Sequence, residues 1–267
     1  SRNSHRPMLI AIDAGNTRLK FGVRASGDPI RGDWLQVGAL ETQDADAIAR
    51  TFSALAASGI NGSSAPTQAI VSNVAGENVA ARVAQALSVW SALSVSSSRV
   101  RWVRSPAQQL GVTNGYAEPA RLGTDRWCAL VAAWHRRRAA TIVVNCGTAT
   151  TVDYLDARGR FVGGMIVPGY ALMKRALAGN TAGLPLADGG FQAQPRTTID
   201  AIETGCLDAQ AGAIERFAAR AGCDFAVVTG GAASAVGPRL ALVHEQFEHL
   251  TLEGLALIAN TPASDEQ

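Results

Sequence analysis

The sequence predicts an α/β protein of two lobes, each a mixed sheet flanked by helices, and three observations carry that prediction. Short apolar, β-branched runs alternate along the chain with segments of helical periodicity, the pattern of sheets covered by helices. The opening strand, turn and strand return in the second half, where Ile142-Val-Val-Asn-Cys-Gly-Thr-Ala lies under Ile10-Ala-Ile-Asp-Ala-Gly-Asn-Thr. That overlay pairs Asp13 with Asn145, Gly15 with Gly147 and Asn16 with Thr148. Finally, 47% hydrophobic and 17% charged residues in a chain of 267 supply a sizeable core and exclude a disordered or collagen-like polymer. The lobes are expected at residues 8–115 and 116–261.

Taken in order, residues 1 to 7 read as a leader or fusion scar outside the fold. Met8 to Ile12 is a buried strand, the turn Asp13 to Thr17 follows, and Leu19, Phe21 and Val23 alternate with polar neighbours as a second strand. A third strand is expected around Ile30 to Val37. Thr42 is placed to cap a helix with Ala45, Ile48, Ala49, Phe52 and Leu55 on its apolar face. After a loop at Gly59 to Pro66 come a strand at Ala69 to Val74, a helix at Val79 to Trp90 and a strand at Val100 to Val103. A middle segment carries GVTNGYAEPARLGTDRW and a helix through Cys128 and Trp134 that ends in Arg136, Arg137 and Arg138, cations that suit a helix C-terminus better than a phosphate patch.

The second lobe opens with a strand at Thr141 to Val144 and alternating strands through Val152, Tyr154, Phe161 and Val162. Helices follow at Tyr170 to Ala178 and Ile199 to Ala219, separated by the loop NTAGLPLADGG. A strand at Phe225 to Val228 then ends in Thr229-Gly230-Gly231.

Composition removes several functions. A formal charge of +2 lacks the concentrated basic stripe of a nucleic-acid footprint. Cys128, Cys146, Cys206 and Cys223 form no CxxC and no zinc spacing, and read as buried thiols of a reducing compartment. No apolar run reaches the ~18 residues of a membrane span, and no signal-peptide core opens the chain. A cytoplasmic protein is expected, with no nucleic-acid or membrane partner. Of the 24 basic residues only Lys20 and Lys174 are lysine, a bias that codon usage explains. Trp34, Trp90, Trp102 and Trp134 read as core, and His135, His244 and His249 have no sequence spacing for a metal or a triad.

The repeated turn carries the chemistry. Each copy offers backbone N–H groups unobstructed at a glycine, and two such concave arrays can clamp a polyphosphate. Lys20 adds a cation on the outgoing strand. Asp13 ends a buried strand, where a carboxylate needs a partner; Mg²⁺ is one answer and an Asx-turn the other. Neither a Walker A nor a G-x-G-x-x-G signature is present, so this phosphate site is of another kind. Gly123-Thr124-Asp125-Arg126-Trp127 sets a carboxylate beside a guanidinium. In phosphoryl transfer the first can accept a hydroxyl proton and the second can hold charge; the other reading is an acidic residue on a helix dipole.

These residues together resemble the type III pantothenate kinases of the actin/hexokinase/Hsp70-like superfamily. The resemblance rests on DAGNTRLKFG (13–22), NGY (114–116), GTDRW (123–127), NCGTATTVD (145–153), GGMIVPGYALMKRAL (163–177), NTAGLP (180–185) and TGG (229–231). It implies duplicated ribonuclease-H-like, actin-like ATPase lobes, and transfer of the ATP γ-phosphoryl to pantothenate in the first step of coenzyme A biosynthesis. Asp13, Ala14, Gly15, Asn16, Thr17, Arg18, Leu19 and Lys20 would form the first phosphate loop and Thr148 the second ATP contact. Asp125 would be the general base, while Tyr116, Gly123, Thr124, Asp125, Arg126 and Thr198 would contact pantothenate. Mg²⁺, a homodimer with substrate near its interface, and a monovalent cation (K⁺ or NH₄⁺) belong to the same pattern. Asn145 departs from it, standing where many members carry an aspartate that contacts the monovalent cation, so weak or absent K⁺ activation is expected. The competing reading is a non-catalytic, ATP-binding regulatory accessory protein of the same fold.

Overall fold

The structure, a computed structural model, describes residues 7–25, 33–44, 46–60, 63–181, 183–186 and 188–262. Residues 1–6 of the expected leader, the 30–32 start of the expected third strand, Ala45, two residues of the Gly59 to Pro66 loop and two of NTAGLPLADGG lie outside that set. By its contacts the chain forms two compact units, residues 1–132 with 250–267, and residues 133–249. The expected division fell at 115/116. The observed one comes later because the middle helix starts in the first unit, and the last helix returns there.

The first unit is built on five strands: β1 (Met8–Ala14), β2 (Arg18–Ala25), β3 (Gln36–Glu41), β4 (Gln68–Asn73) and β5 (Val100–Trp102). Their order is β3-β2-β1-β4-β5. β1 pairs antiparallel with β2 and parallel with β4, so it is central, and its nearly unbroken run of apolar residues is buried on both faces. β3 lies at the edge and alternates half-buried with exposed positions. On one face, Ile10 and Ile12 pack with Phe21 and with Ile48, Phe52 and Leu55 of α1 (Ala47–Ser58), and Val79 and Val83 of α2 (Glu77–Leu87) join them. Phe21 meets Phe52 edge-on at 5.5 Å between ring centroids, and Phe52 meets Trp90 at the same separation. A short α3 (Ser91–Ser94) follows.

The hairpin strands β6 (Gln108–Gln109) and β7 (Val112–Asn114) are joined through Leu110 and Gly111, both at positive φ. α4 (Thr124–Arg136) then leads out of the first unit. Its Trp127 is fully buried and donates from Nε1 to Gln109 Oε1 at 3.0 Å. The last helix, α8 (Leu250–Ala259), packs against β1 and β4, and Arg101 Nη1 donates to the carbonyls of Ile258 and Thr261 at its C-terminal end, 2.8 Å each. At Gly254 the two helix backbones touch: a Cβ there would lie 1.9 Å from the Cys128 carbonyl oxygen.

The second unit repeats the plan. β8 (Thr141–Cys146), β9 (Ala149–Leu155) and β10 (Arg160–Pro168) are an antiparallel run, and β11 (Phe225–Thr229) and β12 (Val243–Gln246) add parallel strands on the other side of β8. The order β10-β9-β8-β11-β12 matches β3-β2-β1-β4-β5 strand for strand. α5 (Tyr170–Asn180), α6 (Thr198–Ala221) and α7 (Ala233–Val236) complete it. Leu207, Ile214 and Ala218 of α6 pack on Ile142, Val144 and Val228. The helix stops at Gly222, whose left-handed φ of 63° returns N–H groups to the last carbonyls.

The third strand, expected around Ile30 to Val37, is β3 at Gln36–Glu41, and the described residues 33–35 before it are not strand. Four further local expectations change. Thr42 does not cap α1, whose N-cap is Asp46 without a side-chain cap bond; Asp44, two residues before it, accepts at Oδ1 from the N–H groups of Asp46 and Ala47 at 3.1 and 3.0 Å. Ala49 is exposed and does not join the apolar face of α1. Trp34 and Trp102 are half-buried, Trp34 because it lies against the bare Cα of Gly22, where a Cβ would come within 2.5 Å of its ring. Arg137 and Arg138 fall beyond α4, and the arginine run is stacked on rings: Arg136 on Phe247 at 3.9 Å, Arg137 on Phe225 at 4.0 Å, Arg138 on Trp134 at 5.6 Å.

Candidate active site

β1 and β2 hold the first turn by register: Asp13 sits opposite Lys20 and Ala14 opposite Leu19. The Gly15 N–H donates to the Arg18 carbonyl at 3.1 Å, closing a three-residue turn of Gly15, Asn16 and Thr17. The sequence repeat is thus a structural one, but the second turn is a residue shorter: Gly147 donates to the carbonyl of Ala149, 3.1 Å away, across Gly147 and Thr148 alone. The parallel neighbours also correspond, with Ser72 beside Asp13 and Thr229 beside Asn145.

Thr42 is a site residue the sequence reading missed. It is fully buried and braces the first turn from the end of β3, donating from Oγ1 to the Gly15 carbonyl at 2.7 Å and from its N–H to the Thr17 carbonyl at 2.9 Å. Those bonds occupy two carbonyls of the turn, while the Gly15 N–H is taken by Arg18. A threonine two residues before an Asx-turn carried no local signal of that role.

GTDRW opens α4 beside this turn, within the same unit. Thr124 Oγ1 is 2.8 Å from Ser72 Oγ, which ties the head of α4 to the strand next to Asp13. Asp125 lies in the first helical turn, and its Oδ1 accepts from the Arg126 N–H at 2.8 Å. The carboxylate sits where a Cβ on Gly123 would be, 2.7 Å from Oδ1, so glycine is the residue that admits it. Arg126 is buried and donates from Nη1 to the Tyr116 hydroxyl at 3.0 Å. Tyr116 is presented by a loop pinned at Asn114, whose side chain accepts from the Tyr116 N–H and donates to the carbonyls of Pro106 and Pro119.

The electrostatics single out two carboxylates. Burial pushes the Asp13 carboxyl up to about 7, the charge of Asp125 pushes the same way, and Lys20 partly offsets both. Burial also raises Asp125, against the N–H and charge of Arg126. Both charges reach the buried Cys128 thiol behind them, which burial raises first. Asp13 Oδ1 is shut away from solvent and accepts no hydrogen bond. The Asx-turn reading therefore does not account for that oxygen. An oxygen so placed fits a cation. Two carboxylates are as many as Mg²⁺ usually takes from a protein when phosphate and water complete its shell, and among the described residues no larger cluster of metal-binding side chains occurs.

The second unit carries the remaining expected residues. Thr148 is exposed at the second turn, and its carbonyl accepts from the Gly169 N–H at 3.0 Å. Gly169 is packed so closely that a Cβ would lie 2.2 Å from the Gly147 carbonyl oxygen. Asn145 is half-buried, and Gly230, at φ 101°, crosses it with room for no side chain: a Cβ would be 2.7 Å from Asn145 Oδ1. The Thr229-Gly230-Gly231 turn thus supports the second turn through Gly230, while Gly231 faces open space. Thr198 is the exposed first residue of α6, with Thr197 as its N-cap. Asp13 to Lys20, Tyr116, Gly123, Thr124, Asp125 and Arg126 thus belong to the first unit, and Asn145, Thr148 and Thr198 to the second.

The chain has relatives among known proteins. The pattern of the type III pantothenate kinase family matches residues 9–220. This chain belongs to that family. A type III pantothenate kinase of Aromatoleum aromaticum is 43% identical over 264 residues, covering 96% of this chain and all of that one. Among solved structures, a Baf family protein from Campylobacter jejuni superposes with a TM-score of 0.59 at 16% identity, covering 93% of this chain and 96% of that one. The ethanolamine utilization protein EutJ from Carboxydothermus hydrogenoformans gives 0.56 at 15%, covering 94% and 89%. The last two establish the fold alone, duplicated ribonuclease-H-like lobes of the actin-like ATPase kind.

Proposed function

We propose that this type III pantothenate kinase transfers the γ-phosphoryl group of ATP to the primary hydroxyl of pantothenate, the first step of coenzyme A biosynthesis. The observation that carries the assignment of the reacting end is the pair Asp13 and Asp125, one carboxylate oxygen buried and unpartnered and the other carboxylate at the head of a helix beside it.

The DAGNT turn, braced by Thr42, meets the phosphates together with Lys20, and Thr148 offers the second ATP contact. Asp125 accepts the proton of the pantothenate hydroxyl; burial raises its pKa toward the range in which a general base is effective. Arg126 and Tyr116, locked to each other, orient pantothenate with Gly123 and Thr124, and Thr198 supplies a further contact. Asp13 would hold Mg²⁺ directly or through water, and the ion when bound neutralises charge on the transferring phosphoryl group.

A homodimer is part of the proposal. Val162, Ile166, Leu186 and Ile199 of the second unit are large apolar side chains left exposed, Leu186 at 62% and Ile166 at 60%, and such side chains mark interaction sites when they gather. A cytoplasmic location is the remaining part: the four cysteines are free thiols, and among the described residues no helix is long and apolar enough to cross a membrane.

The test is ADP release from Mg·ATP in an NH₄⁺ buffer, with and without pantothenate. Pantothenate-dependent release is the expected result. Release that ignores pantothenate, or ATP binding with no turnover, would overturn the reading.

A further inference from the structure

The second unit holds a buried ammonium that the chemistry above does not use. Lys174, on α5, is 5% exposed, and its Nζ lies 2.9 Å from Glu203 Oε2, 2.8 Å from Asp188 Oδ1 and 3.4 Å from the Tyr170 hydroxyl. Tyr170 in turn donates to the other oxygen of Glu203. All three ammonium protons therefore have acceptors, and both Glu203 oxygens have donors, which is the condition for keeping charge in a core. Burial alone would lower the lysine's pKa, but the bonds to Asp188, Glu203 and Tyr170 outweigh it and hold the charge in place.

The three acceptors come from three places. Tyr170 shares α5 with the lysine, Glu203 is on α6, and Asp188 belongs to the connection between the helices and is otherwise fully exposed. From Asp188 onward that connection is stitched along the first turns of α6. Gly189 packs against the Ile199 carbonyl, where a Cβ would come within 2.5 Å. The Gly190 N–H donates to Asp200 Oδ1 at 2.9 Å, and Gln192 and Thr204 exchange bonds of 3.0 and 3.2 Å. Thr198 begins α6, one residue after the N-cap and one before the first of these fastenings at Ile199.

The geometry of the cluster calls for a lysine. The chain uses arginine for 22 of its 24 basic residues, and its two lysines stand at Asp13 and in this cluster. A guanidinium is a planar fork, and it cannot bring three acceptors to one nitrogen as an ammonium does.

We infer that Lys174 is a positioning residue for pantothenate, a latch that clamps the 188–192 connection and the start of α6 together so that Thr198 is held at its contact with the substrate. The inference rests on the reading of Thr198 and of the reaction given above. Asp188 is the arm of the latch that can be cut without opening the core, because its side chain is exposed and Lys174 keeps Glu203 when it is gone.

The experiment compares the unsubstituted chain with Asp188→Ala, Asp188→Glu and Lys174→Arg, by steady-state kinetics in both substrates and by thermal melting. In Asp188→Ala the pantothenate KM should rise about 3- to 10-fold, the range for one lost charge-assisted bond that is partly solvated. The ATP KM, kcat and Tm should hold. Asp188→Glu should recover most of the loss, and Lys174→Arg should show the rise despite its charge. An unchanged pantothenate KM in Asp188→Ala sinks the latch, and so does a rise in both KM values together with a lower Tm, which marks a merely structural cluster. An unsubstituted chain with no pantothenate-dependent turnover fails the reaction itself, a separate outcome that takes the latch with it.

Discussion

Asp125 lies close enough to Asp13 for its negative charge to oppose the ionisation of Asp13, and with burial it lifts that carboxyl to about 7 although Lys20 stands directly across the strand pair. The arrangement is costly in the free protein, and a cation bound there would relieve it. An acid whose folded pKa is raised binds its proton more tightly when folded than when unfolded. Stability is then lost as pH climbs from the ordinary value of 3.8 to about 7, and the loss is level above that. Asp13→Asn titrates in neither state. Its Tm, measured without nucleotide or Mg²⁺, should therefore gain on that of the unsubstituted chain between about pH 4 and about pH 7 and run parallel above. A constant difference across that window would show that the Asp13 pKa is not raised.

The other member of the pair bears on rate. Asp125→Asn keeps the shape, the Gly123 pocket and an oxygen to accept from the Arg126 N–H, but it cannot take a proton. Its kcat should fall about 10²- to 10⁴-fold, the usual contribution of a general base, with the pantothenate KM moving much less. Near-full activity in steady-state assays would return Asp125 to the role of an acidic residue on a helix dipole.

Much of this was legible in the sequence, for identifiable reasons. Both turns were visible because the strand, the glycine and the flanking polar residues recur together, and a repeated strand order follows from a repeated pattern. GTDRW stood out because it sets beside each other the proton acceptor and the guanidinium that phosphoryl transfer asks for. What the sequence hid depends on contacts between distant segments. Thr42 looked like a helix cap because capping is a local property, whereas its bonds to Gly15 and Thr17 are made across the sheet edge. Ser72 behind Thr124, and the three-way closure on Lys174, are invisible to periodicity for the same reason. The missing residue in the second turn is a register effect, set by where β9 begins.

Gly254 is a case where sequence gives no hint and packing gives a strong one. A glycine inside α8 lowers helix propensity by roughly 1 kcal/mol relative to alanine, so propensity alone says that Gly254→Ala stabilises. The backbone of α4 blocks it, since the new Cβ would stand 1.9 Å from the Cys128 carbonyl oxygen. Backbone cannot yield as a side chain does, so the variant should lose at least the roughly 1–3 kcal/mol typical of overpacking in urea denaturation. Because α4 also carries Asp125, kcat should fall with it. Gly212→Ala on α6 has open space for its Cβ and serves as the control, expected to gain a few tenths of a kcal/mol or more.

Asn145 closes the comparison of the two turns. It holds in β8 the place that Asp13 holds in β1, but its side chain is an amide, half-buried beneath Gly230. An amide oxygen can still ligate a monovalent cation, yet it brings no charge to offset the ion's lost hydration. The pantothenate kinase activity of this chain should therefore respond weakly to K⁺ or NH₄⁺ in a Na⁺ or Tris background. Asn145→Asp restores the charge without changing the shape, and should produce an activation by K⁺ that saturates. Initial rates titrated with KCl at constant ionic strength separate the cases, because screening acts on both proteins alike while a site fills only in the variant. A strict K⁺ requirement in the unsubstituted chain would mean that the cation is bound without this carboxylate, and the weight placed on Asn145 would be wrong.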